Sequence, residues 1–187
     1  MAVSPAVKKF GVFGSNGVGK TLYAMKFGKC EINHDLELLS DGMYTQEIDH
    51  QGGKIMVEVC DIDGGDRFSA IRNLYLTASE GFILMYSVTN RYSFSALTSL
   101  IEWVASIKEV ENTPLVIVGN KCDLEEDRVV STEEGLRYAE KYHSPFYETS
   151  AKFHINIDEA LAELANHIRN SNKWENAKKK QKQCSVD

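Results

Sequence analysis

The stretch that most constrains the fold is Gly14–Thr21, GSNGVGKT, which follows the apolar run FGVF and precedes TLYAMKFGK. It fits the phosphate-binding pattern G-x-x-x-x-G-K-[ST], which connects a strand to a helix. Glycine lets consecutive backbone N–H groups turn inward around a phosphate, and the helix N-terminus adds partial positive charge. The sequence therefore predicts a strand over Val7–Phe13, a phosphate-binding loop, and a helix that begins near Thr21.

Two residues of this loop carry side-chain chemistry. Lys20 is expected to bridge the terminal phosphates of a ligand, and the Thr21 hydroxyl to ligate Mg²⁺. A second metal ligand is predicted at Asp61, which ends the strand IMVEVC, and the N–H of Gly64 in the following IDGG can meet a γ-phosphate. The predicted phosphate-binding set is Gly14, Ser15, Asn16, Gly17, Val18, Gly19, Lys20, Thr21 and Leu22.

Short apolar runs alternate with longer amphipathic stretches along the chain. The runs VKKFGVF, KIMVEVC, GFILMYSV and PLVIVG are typical of strands that are covered on both faces. Tyr44–His50 and Lys54–Cys60 flank a glycine turn, which predicts an antiparallel hairpin. Apolar residues recur at helical spacing over Leu97–Ile107 and Ile157–Ile168. The alternation predicts an α/β sheet with helices on both faces.

Two helix starts are also marked in the sequence. Ser131 with Glu134, and Asn156 with Glu159, have the spacing of an N-cap residue and its third-residue partner. We therefore expect helices to begin directly after Ser131 and Asn156.

A further motif selects the base of a ligand. GNKCDL, Gly119–Leu124, follows the run PLVIV and supplies the carboxylate of Asp123. Guanine offers two adjacent donors, N1–H and the exocyclic amine, and one carboxylate can accept from both. Charge-assisted hydrogen bonds contribute roughly 1.5–3 kcal/mol each, so losing both to an adenine compound discriminates by about 10⁴-fold. ETSAK, Glu148–Lys152, completes the set, since a backbone N–H near Ala151 can reach the guanine oxygen.

With these motifs in this order, the chain resembles the Ras-like small GTPases across residues 7–170, and the Ras branch more than the Rab or Rho branches. Supporting stretches are RFSAIRNLY, SEGFILMYSVT and LVIVGNKCDL. The resemblance implies the α/β fold of P-loop NTPases, with a mostly parallel six-stranded sheet, one antiparallel edge strand and five flanking helices. It also implies GTP and GDP with Mg²⁺ as ligands, and two switch segments.

By the same resemblance, Asn120 ties the base loop to the phosphate loop, and the stems of Lys121 and Lys152 cover the guanine faces. The implied base-contacting set is Asn120, Lys121, Asp123, Ser150, Ala151 and Lys152. The implied effector region is Leu36, Glu37, Leu38, Leu39, Ser40, Asp41, Gly42, Met43 and Tyr44. The implied partners of a monomer are effector proteins and a guanine-nucleotide exchange factor. Since LLSDGMY differs from the Ras pattern, Ras effectors are not assumed.

Four departures from the family pattern gather at the γ-phosphate, three in the phosphate loop and the DIDGG stretch and one in switch I. Asn16 stands where the family usually has glycine, and occupies space that an activating arginine and the attacking water need. Gly65 stands where a glutamine orients that water, in an arrangement whose arginine alone is worth about 10³–10⁵ in rate. Asp63 brings a carboxylate that can repel the triphosphate or join the metal's water shell. The catalytic set is reduced to Lys20, Gly64 and Gly65, and we predict slow hydrolysis with little response to a Ras-type activating protein.

The threonine of switch I that closes on magnesium is also missing. An ungapped alignment puts Leu39 at that position, and Ser40 can supply a hydroxyl to the metal if the loop slips by one residue. The aromatic residue that flanks guanine is replaced by Ile32, which should loosen the nucleotide.

The charge is unevenly distributed. The 187-residue chain has a net charge of −6, but its last seventeen residues hold five lysines against two acidic residues, a net of +3 that leaves −9 elsewhere. An acidic body argues against nucleic acid as a partner, while the basic tail suits the anionic inner surface of a membrane. We predict an extension over residues 1–6, a GTP-binding domain over 7–170 and a disordered basic tail over 171–187.

Within the tail, KKKQKQCSVD places Cys184 four residues from the end, in the C-a-a-X layout of prenylation. Asp187 is not a typical last residue and Ser185 is not aliphatic, so a lipidated and an unmodified Cys184 are equal alternatives. The four cysteines are far apart and form no CxxC pair, which argues against a disulfide framework or zinc site. We expect a cytoplasmic location, with the cytoplasmic face of the plasma membrane as the site of a lipidated form.

Two functions fit these features. The first is a small GTP-binding signalling switch that hydrolyses GTP slowly. The second is a catalytically degenerate guanine-nucleotide-binding interaction module. An ATP-using P-loop enzyme is disfavoured by NKCD and ETSAK.

Overall fold

The computed structural model of the chain describes residues 8–26, 37–39, 43–50, 53–60, 69–109 and 113–168. Within these ranges seven strands form one sheet. In chain order they are β1 Lys8–Phe13, β2 Glu37–Leu39, β3 Met43–His50, β4 Gly53–Cys60, β5 Gly81–Ser87, β6 Leu115–Asn120 and β7 Phe146–Thr149. The helices are α1 Lys20–Met25, α2 Ser69–Ala78, α3 Arg91–Ser95, α4 Leu97–Ile107, α5 Thr132–Lys141 and α6 over 157–168.

The sheet is parallel at its centre, with the spatial order β2-β3-β4-β1-β5-β6-β7. β1 pairs in parallel with β4 and β5, and β6 joins β5 to β7 in the same direction. β3 runs antiparallel to both β4 and β2. The predicted hairpin is thus confirmed as β3 and β4, with Tyr44 opposite Val59 and Asp49 opposite Lys54.

The sequence predicted six strands with one antiparallel edge strand, whereas the described sheet has seven strands. Glu37–Leu39 pairs along the outer side of β3, so β3 is the second strand and β2 is the edge. An edge strand presents unpaired N–H and C=O groups that a short neighbouring segment can satisfy. The three residues ELL were too few to be distinguished from a loop by their pattern. Within the described part of the chain, Ala96 alone separates α3 from α4. Counted as one interrupted segment, the two give five helical segments in all, as expected.

Two apolar layers cover the two faces of the sheet. Side chains alternate along β5, with Ile83 and Met85 in the layer of α1 and α6, and Phe82, Leu84 and Tyr86 in the layer of α4 and α5. This alternation follows from the two-residue period of a strand. Every residue of β5 and of β6 is buried, as predicted for nearly continuous apolar runs.

The predicted helical stripes lie in this core. Leu97, Leu100, Ile101 and Val104 of α4 are buried, and so are Ile157, Leu161, Leu164 and Ile168 of α6. Burying one such side chain stabilises the fold by roughly 1.5–3 kcal/mol, so these two stripes hold the helices on the sheet. Among the described residues, no helix is both long enough and apolar enough to cross a membrane.

Both helices begin where predicted, directly after Ser131 and Asn156, but the predicted capping interaction forms at Ser131 alone of the two. Ser131 forms the predicted capping box at α5: its hydroxyl accepts from the Glu134 N–H at 3.2 Å, and Glu134 accepts from the Ser131 N–H at 3.0 Å. Asn156 does not have the extended backbone of an N-cap residue, because its φ is 54°. Its side-chain amide instead donates to the Glu148 carbonyl at 2.8 Å, which connects the start of α6 to β7.

Candidate functional site

The phosphate loop connects β1 to α1, where its glycines meet two distinct needs. Gly17 and Gly19 have φ values of 75° and 99°, in the left-handed region that favours glycine. Gly14 has no such φ, but a Cβ there would overlap the carbonyl oxygen of Met85. A Cβ at Gly19 would lie 2.5 Å from Nδ2 of Asn120. The motif glycines therefore allow the loop to approach β5 and the end of β6.

Lys20 is folded back into this loop. Its side chain is buried, and Nζ donates to the carbonyl oxygens of Gly14 at 2.7 Å and Ser15 at 2.9 Å. These contacts hold the ammonium inside the curve of the loop at the N-terminus of α1, where an anion is favoured. The geometry suits a cation that meets phosphate oxygens as a point charge.

The remaining residues of the predicted phosphate set differ in exposure. Asn16 and Gly17 are exposed at the tip of the loop, while Ser15 and Val18 are buried. Thr21 is half-buried, and Leu22 is 40% exposed. The Asn16 side chain is therefore exposed at the mouth of the loop and is not packed in the core beneath it.

Asn120, the last residue of β6, links three segments. Its Nδ2 donates to the Val18 carbonyl at 2.8 Å, across 102 residues of sequence. Its Oδ1 accepts from the Thr149 hydroxyl and from the Ala151 N–H, both at 3.1 Å. The side chain is buried, so each of these bonds is shielded from water. The link between base loop and phosphate loop that the resemblance implies is therefore present.

Lys121 and Asp123 follow Asn120 in the turn after β6. Lys121 has a φ of 66°, and its Nζ donates to the Gly17 carbonyl at 2.6 Å, so its stem extends from the base loop to the tip of the phosphate loop. Asp123 is half-buried, and its carboxylate has no hydrogen bond or ion pair to the part of the chain that is described. The carboxylate can therefore accept from a ligand without losing an internal partner.

The loop after β7 contains Ser150, Ala151 and Lys152. Ser150 and Ile155 exchange two backbone hydrogen bonds, at 3.2 Å and 3.0 Å, which close the loop at its base. Ala151 is buried and its N–H is directed to Asn120, while Lys152 is exposed at the tip. The structure thus brings the expected base-contacting residues together at the carboxyl ends of β6 and β7, where ligands bind in open parallel sheets.

Arg128 is a structural contributor that the sequence reasoning missed. It forms a bidentate pair with Glu148 of ETSAK, at 2.6 Å and 3.1 Å, and its Nε donates to Glu125 at 2.8 Å. The Arg128 and Glu148 side chains are only 14% and 17% exposed. The hydrogen bonds to Glu148, and then to Glu125, raise the pKa of Arg128. The pair fixes the start of the ETSAK loop. The local sequence DLEEDR does not indicate which acidic residue pairs with Arg128.

Tyr86 of β5 lies beneath the same loops and is also unexpected. Its ring is fully buried against Phe94 at a centroid distance of 4.9 Å, and its hydroxyl has no hydrogen-bond partner among the described residues. Burial raises the pKa of Tyr86. The hydroxyl occupies the space that a Cβ would need at Gly119, 2.8 Å away, so glycine there makes room for it.

Several predicted site residues lie outside the described ranges. They are Ile32, Leu36, Ser40, Asp41, Gly42, Asp61, Asp63, Gly64, Gly65 and Cys184. The backbone of the other effector-region residues forms the β2–β3 ladder, with Leu38 opposite Tyr44 and Leu39 opposite Met43. In the ranges that the structure covers, no three His, Cys, Asp or Glu residues gather as a metal site. Of the predicted magnesium ligands, only Thr21 can be placed, at the start of α1.

A sequence model of the Ras family matches residues 9–170. That span contains the phosphate loop, the base loop and the ETSAK loop, which the structure brings to one end of the sheet. The chain therefore belongs to the Ras family, as the motifs predicted, and this membership supports guanine-nucleotide binding and GTPase activity in general.

Proposed function

We propose that this member of the Ras family is a signalling switch that binds GDP and GTP with Mg²⁺ and hydrolyses GTP slowly. The observation that carries the proposal is the set of three hydrogen bonds made by Asn120. They join the phosphate loop to the base loop and to the ETSAK loop. Binding groups for a phosphate chain and for a purine are thereby held at the two ends of one site.

Each end of the site suits one end of a guanine nucleotide. At the phosphate end, backbone N–H groups and the Lys20 ammonium neutralise the phosphate oxygens. At the base end, the Asp123 carboxylate accepts from N1–H and the exocyclic amine, while the stems of Lys121 and Lys152 lie against the ring. An adenine compound would leave this carboxylate unpaired, so guanine is favoured.

Magnesium fits the residues proposed to hold it. The Thr21 hydroxyl at the start of α1 would be one oxygen ligand, and the Asp61 carboxylate and Ser40 hydroxyl would be the others, directly or through water. A bound ion would supply positive charge that stabilises the phosphate chain. The chain's own contribution is to orient the phosphates through the loop backbone and Lys20.

Slow hydrolysis is proposed because the groups that position water are absent from the sequence. Gly65 has no side chain to orient a water molecule, and Asp63 adds negative charge beside the γ-phosphate. Asn16 is exposed at the mouth of the phosphate loop, where it reduces the space for an arginine from an activating protein. Positioning and charge stabilisation supply most of the catalysis of phosphoryl transfer, so losing them lowers the rate without preventing binding.

The experiment measures binding and turnover on the same protein. Affinities for GDP, GTP, ADP and ATP are compared with and without Mg²⁺, and GTP hydrolysis is followed in a single turnover. We expect guanine selectivity and slow phosphate release that Lys20→Ala abolishes. Asp123→Ala should lower the affinity for GDP and leave the affinity for ADP unchanged, which separates base recognition from phosphate binding. Equal retention of adenine and guanine compounds would contradict the proposal.

The alternative is a guanine-nucleotide-binding interaction module without catalysis, which Gly65 and Asp63 favour. Phosphate release no faster than that of the Lys20→Ala variant, with GTP binding intact, would establish it. In that case the two nucleotides would act as structural ligands.

The proposal extends to partners and location. A monomer would present the β2–β3 edge to effector proteins and exchange its nucleotide through an exchange factor, in the cytoplasm or at the inner face of the plasma membrane. The basic segment before Cys184 supports the membrane location, because each lysine near an anionic surface contributes about 1 kcal/mol. The intact mass of the chain from eukaryotic cells tests whether Cys184 carries a lipid.

A further inference from the structure

The loop over 150–156 is tightly held, although its tip faces outward. Besides the two hydrogen bonds between Ser150 and Ile155, the Phe153 N–H donates to the Ser150 hydroxyl at 3.1 Å. The left-handed φ values of His154, at 57°, and Asn156, at 54°, allow the chain to turn back within a few residues. The side chains at the tip therefore start from a fixed backbone.

The aromatic residue at this tip, Phe153, is not part of the core. Its side chain is 60% exposed and belongs to neither buried cluster. Its ring is instead paired with the neighbouring lysine: Nζ of Lys152 lies 4.9 Å from the ring centroid. This distance is within the range of a cation–π interaction.

The two lysines of the proposed base site thus share one arrangement. The Lys121 ammonium is held by the Gly17 carbonyl at 2.6 Å, and the Lys152 ammonium is held by the Phe153 ring. In each case the head group is fixed at a point beyond the stem. A lysine whose head is fixed has fewer rotamers to lose when its stem packs against a ligand.

We infer that Phe153 is a positioning residue for the guanine base, because its ring holds Lys152 so that the lysine stem lies along one face of the purine. The inference rests on the proposed function, that this site takes a guanine nucleotide. Phe153 acts through Lys152 and need not touch the nucleotide itself. Since an exposed cation–π pair is a weak interaction, removing the ring should speed nucleotide release by about two- to five-fold.

The test measures release of a GDP labelled on its ribose from the full chain, in the presence of Mg²⁺. Phe153→Leu keeps an apolar side chain but loses the π face, and should release GDP about two- to five-fold faster. Phe153→Tyr keeps the ring and should restore the original rate. Tyr92→Leu is the matched control, because Tyr92 is 72% exposed on α3, and its variant should release GDP at the original rate.

A double-mutant cycle isolates the route through Lys152. In a Lys152→Ala chain, Phe153→Leu should cause no further acceleration, because the ring no longer has a cation to hold. Equal acceleration in both backgrounds, or a Phe153→Leu chain that releases GDP at the original rate, would overturn the inference. If the unaltered chain retains no labelled GDP, the proposed function itself fails, and this outcome is distinct from indifferent Phe153 variants on a chain that does bind.

Discussion

The phosphate loop and the base loops lie at the same end of the sheet but are held in different ways. The phosphate loop depends on glycine, through close approach to the Met85 carbonyl at Gly14 and a left-handed φ at Gly19, and its exposed tip carries Asn16. The base loops are held by side chains from distant parts of the chain, namely Asn120 and the Arg128–Glu148 pair. The phosphate half of the site should therefore fail when a side chain is added, and the base half should fail when one is removed.

The largest effect is expected when a methyl group is added at Gly14. Gly14→Ala would force Cβ into the Met85 carbonyl of β5, which is backbone and cannot rotate away. We expect a loss of about 3 kcal/mol in unfolding free energy, together with loss of bound nucleotide. Urea unfolding and the guanine content of the purified protein measure the two effects.

Gly17→Ala is the matched control for this change. No atom of the described residues lies within 4 Å of a Cβ at Gly17, so among them only its φ of 75° opposes alanine, at a cost of about 1–2 kcal/mol. This variant should lose less bound nucleotide than Gly14→Ala. Equal losses of stability at Gly14 and Gly17 would mean that close approach to β5 is not what the phosphate loop requires.

The next largest effect is expected when the Asn120 side chain is removed. Asn120→Ala leaves the Val18 carbonyl, the Thr149 hydroxyl and the Ala151 N–H without this partner, and each unpaired buried group costs about 1–3 kcal/mol. Allowing for rearrangement, we expect a loss of 2–3 kcal/mol in unfolding free energy and about 100-fold faster GDP release. Urea unfolding and stopped-flow release provide these values.

Asn90→Ala removes an exposed asparagine whose side chain, within the described residues, bonds to α3 and to none of the three loops. The Asn90 Oδ1 caps α3 by accepting from the Ser93 N–H at 3.1 Å, so the variant should lose about 1 kcal/mol in stability. Its GDP release should not change. An Asn120→Ala chain that behaves like Asn90→Ala would show that the link between the loops is not what retains nucleotide.

A smaller effect is expected from the Arg128–Glu148 pair. Arg128→Met leaves the Glu148 carboxylate, at 17% exposure, without its bidentate partner, and should cost about 2 kcal/mol. The Arg91–Glu134 pair is the natural comparison, since its side chains are 49% and 34% exposed. Arg91→Met should cost less than Arg128→Met, because an exposed ion pair is screened by solvent. Similar losses in the two variants, by urea unfolding, would indicate that burial does not distinguish the pairs.

Removing one oxygen atom beneath the base loops should stabilise the chain. Tyr86→Phe deletes the buried hydroxyl that has no partner among the described residues, so we expect a gain of about 1 kcal/mol in unfolding free energy. Tyr138→Phe is the control. The Tyr138 hydroxyl lies 3.2 Å from the Thr98 hydroxyl, so removing it should lower the unfolding free energy by about 0.5–1 kcal/mol. Thermal unfolding compares the two, and a less stable Tyr86→Phe chain would reveal a partner for the hydroxyl, such as a buried water.

The smallest effect concerns the pH dependence of stability at Glu134, whose side chain bonds to Arg91 and Ser131 and to neither loop among the described residues. The hydrogen bond from Arg91, and then that from the Ser131 N–H, lowers the pKa of Glu134 to about 2, below the ordinary value of 4.5. A carboxylate with a lowered folded pKa stabilises the fold fully above its unfolded pKa and loses that contribution as the pH falls through its folded pKa.

We therefore expect the stability difference between the unaltered chain and Glu134→Gln to be constant from pH 7 to about pH 5 and to shrink toward pH 2. Urea midpoints measured across this range give the difference. A difference that grows on acidification would contradict the sign of the pKa shift.

The two halves of the site also differ in how far the sequence could predict them. The phosphate loop follows from local rules, since the glycines at 14, 17 and 19 and the lysine at 20 are a contiguous pattern with a backbone cause. The strand that precedes it, the hairpin and the stripes of α4 and α6 follow from periodicities of two and 3.6 residues. The capping box at Ser131 is likewise encoded within four residues.

What the sequence could not predict depends on partners that are distant along the chain or on neighbouring geometry. No local sequence pattern indicates that Arg128 pairs with Glu148, twenty residues later, in addition to a nearer acidic residue. The β2 strand is too short to show a period, and it exists because β3 leaves an edge to pair with. Asn156 has the spacing of a cap residue, but its amide is used to reach Glu148.

The burial of Val18 has a consequence for how the chain acquires its ligand during synthesis. Val18 of the phosphate loop belongs to the same buried cluster as Ile157 and Leu161, from the last helix of the described chain. The phosphate loop is the first of the three motifs to leave the ribosome. Its packing can be completed only after Asn120, Ala151 and α6 have been synthesised. A partly made chain should emerge empty, and capture of nucleotide would mark the end of folding.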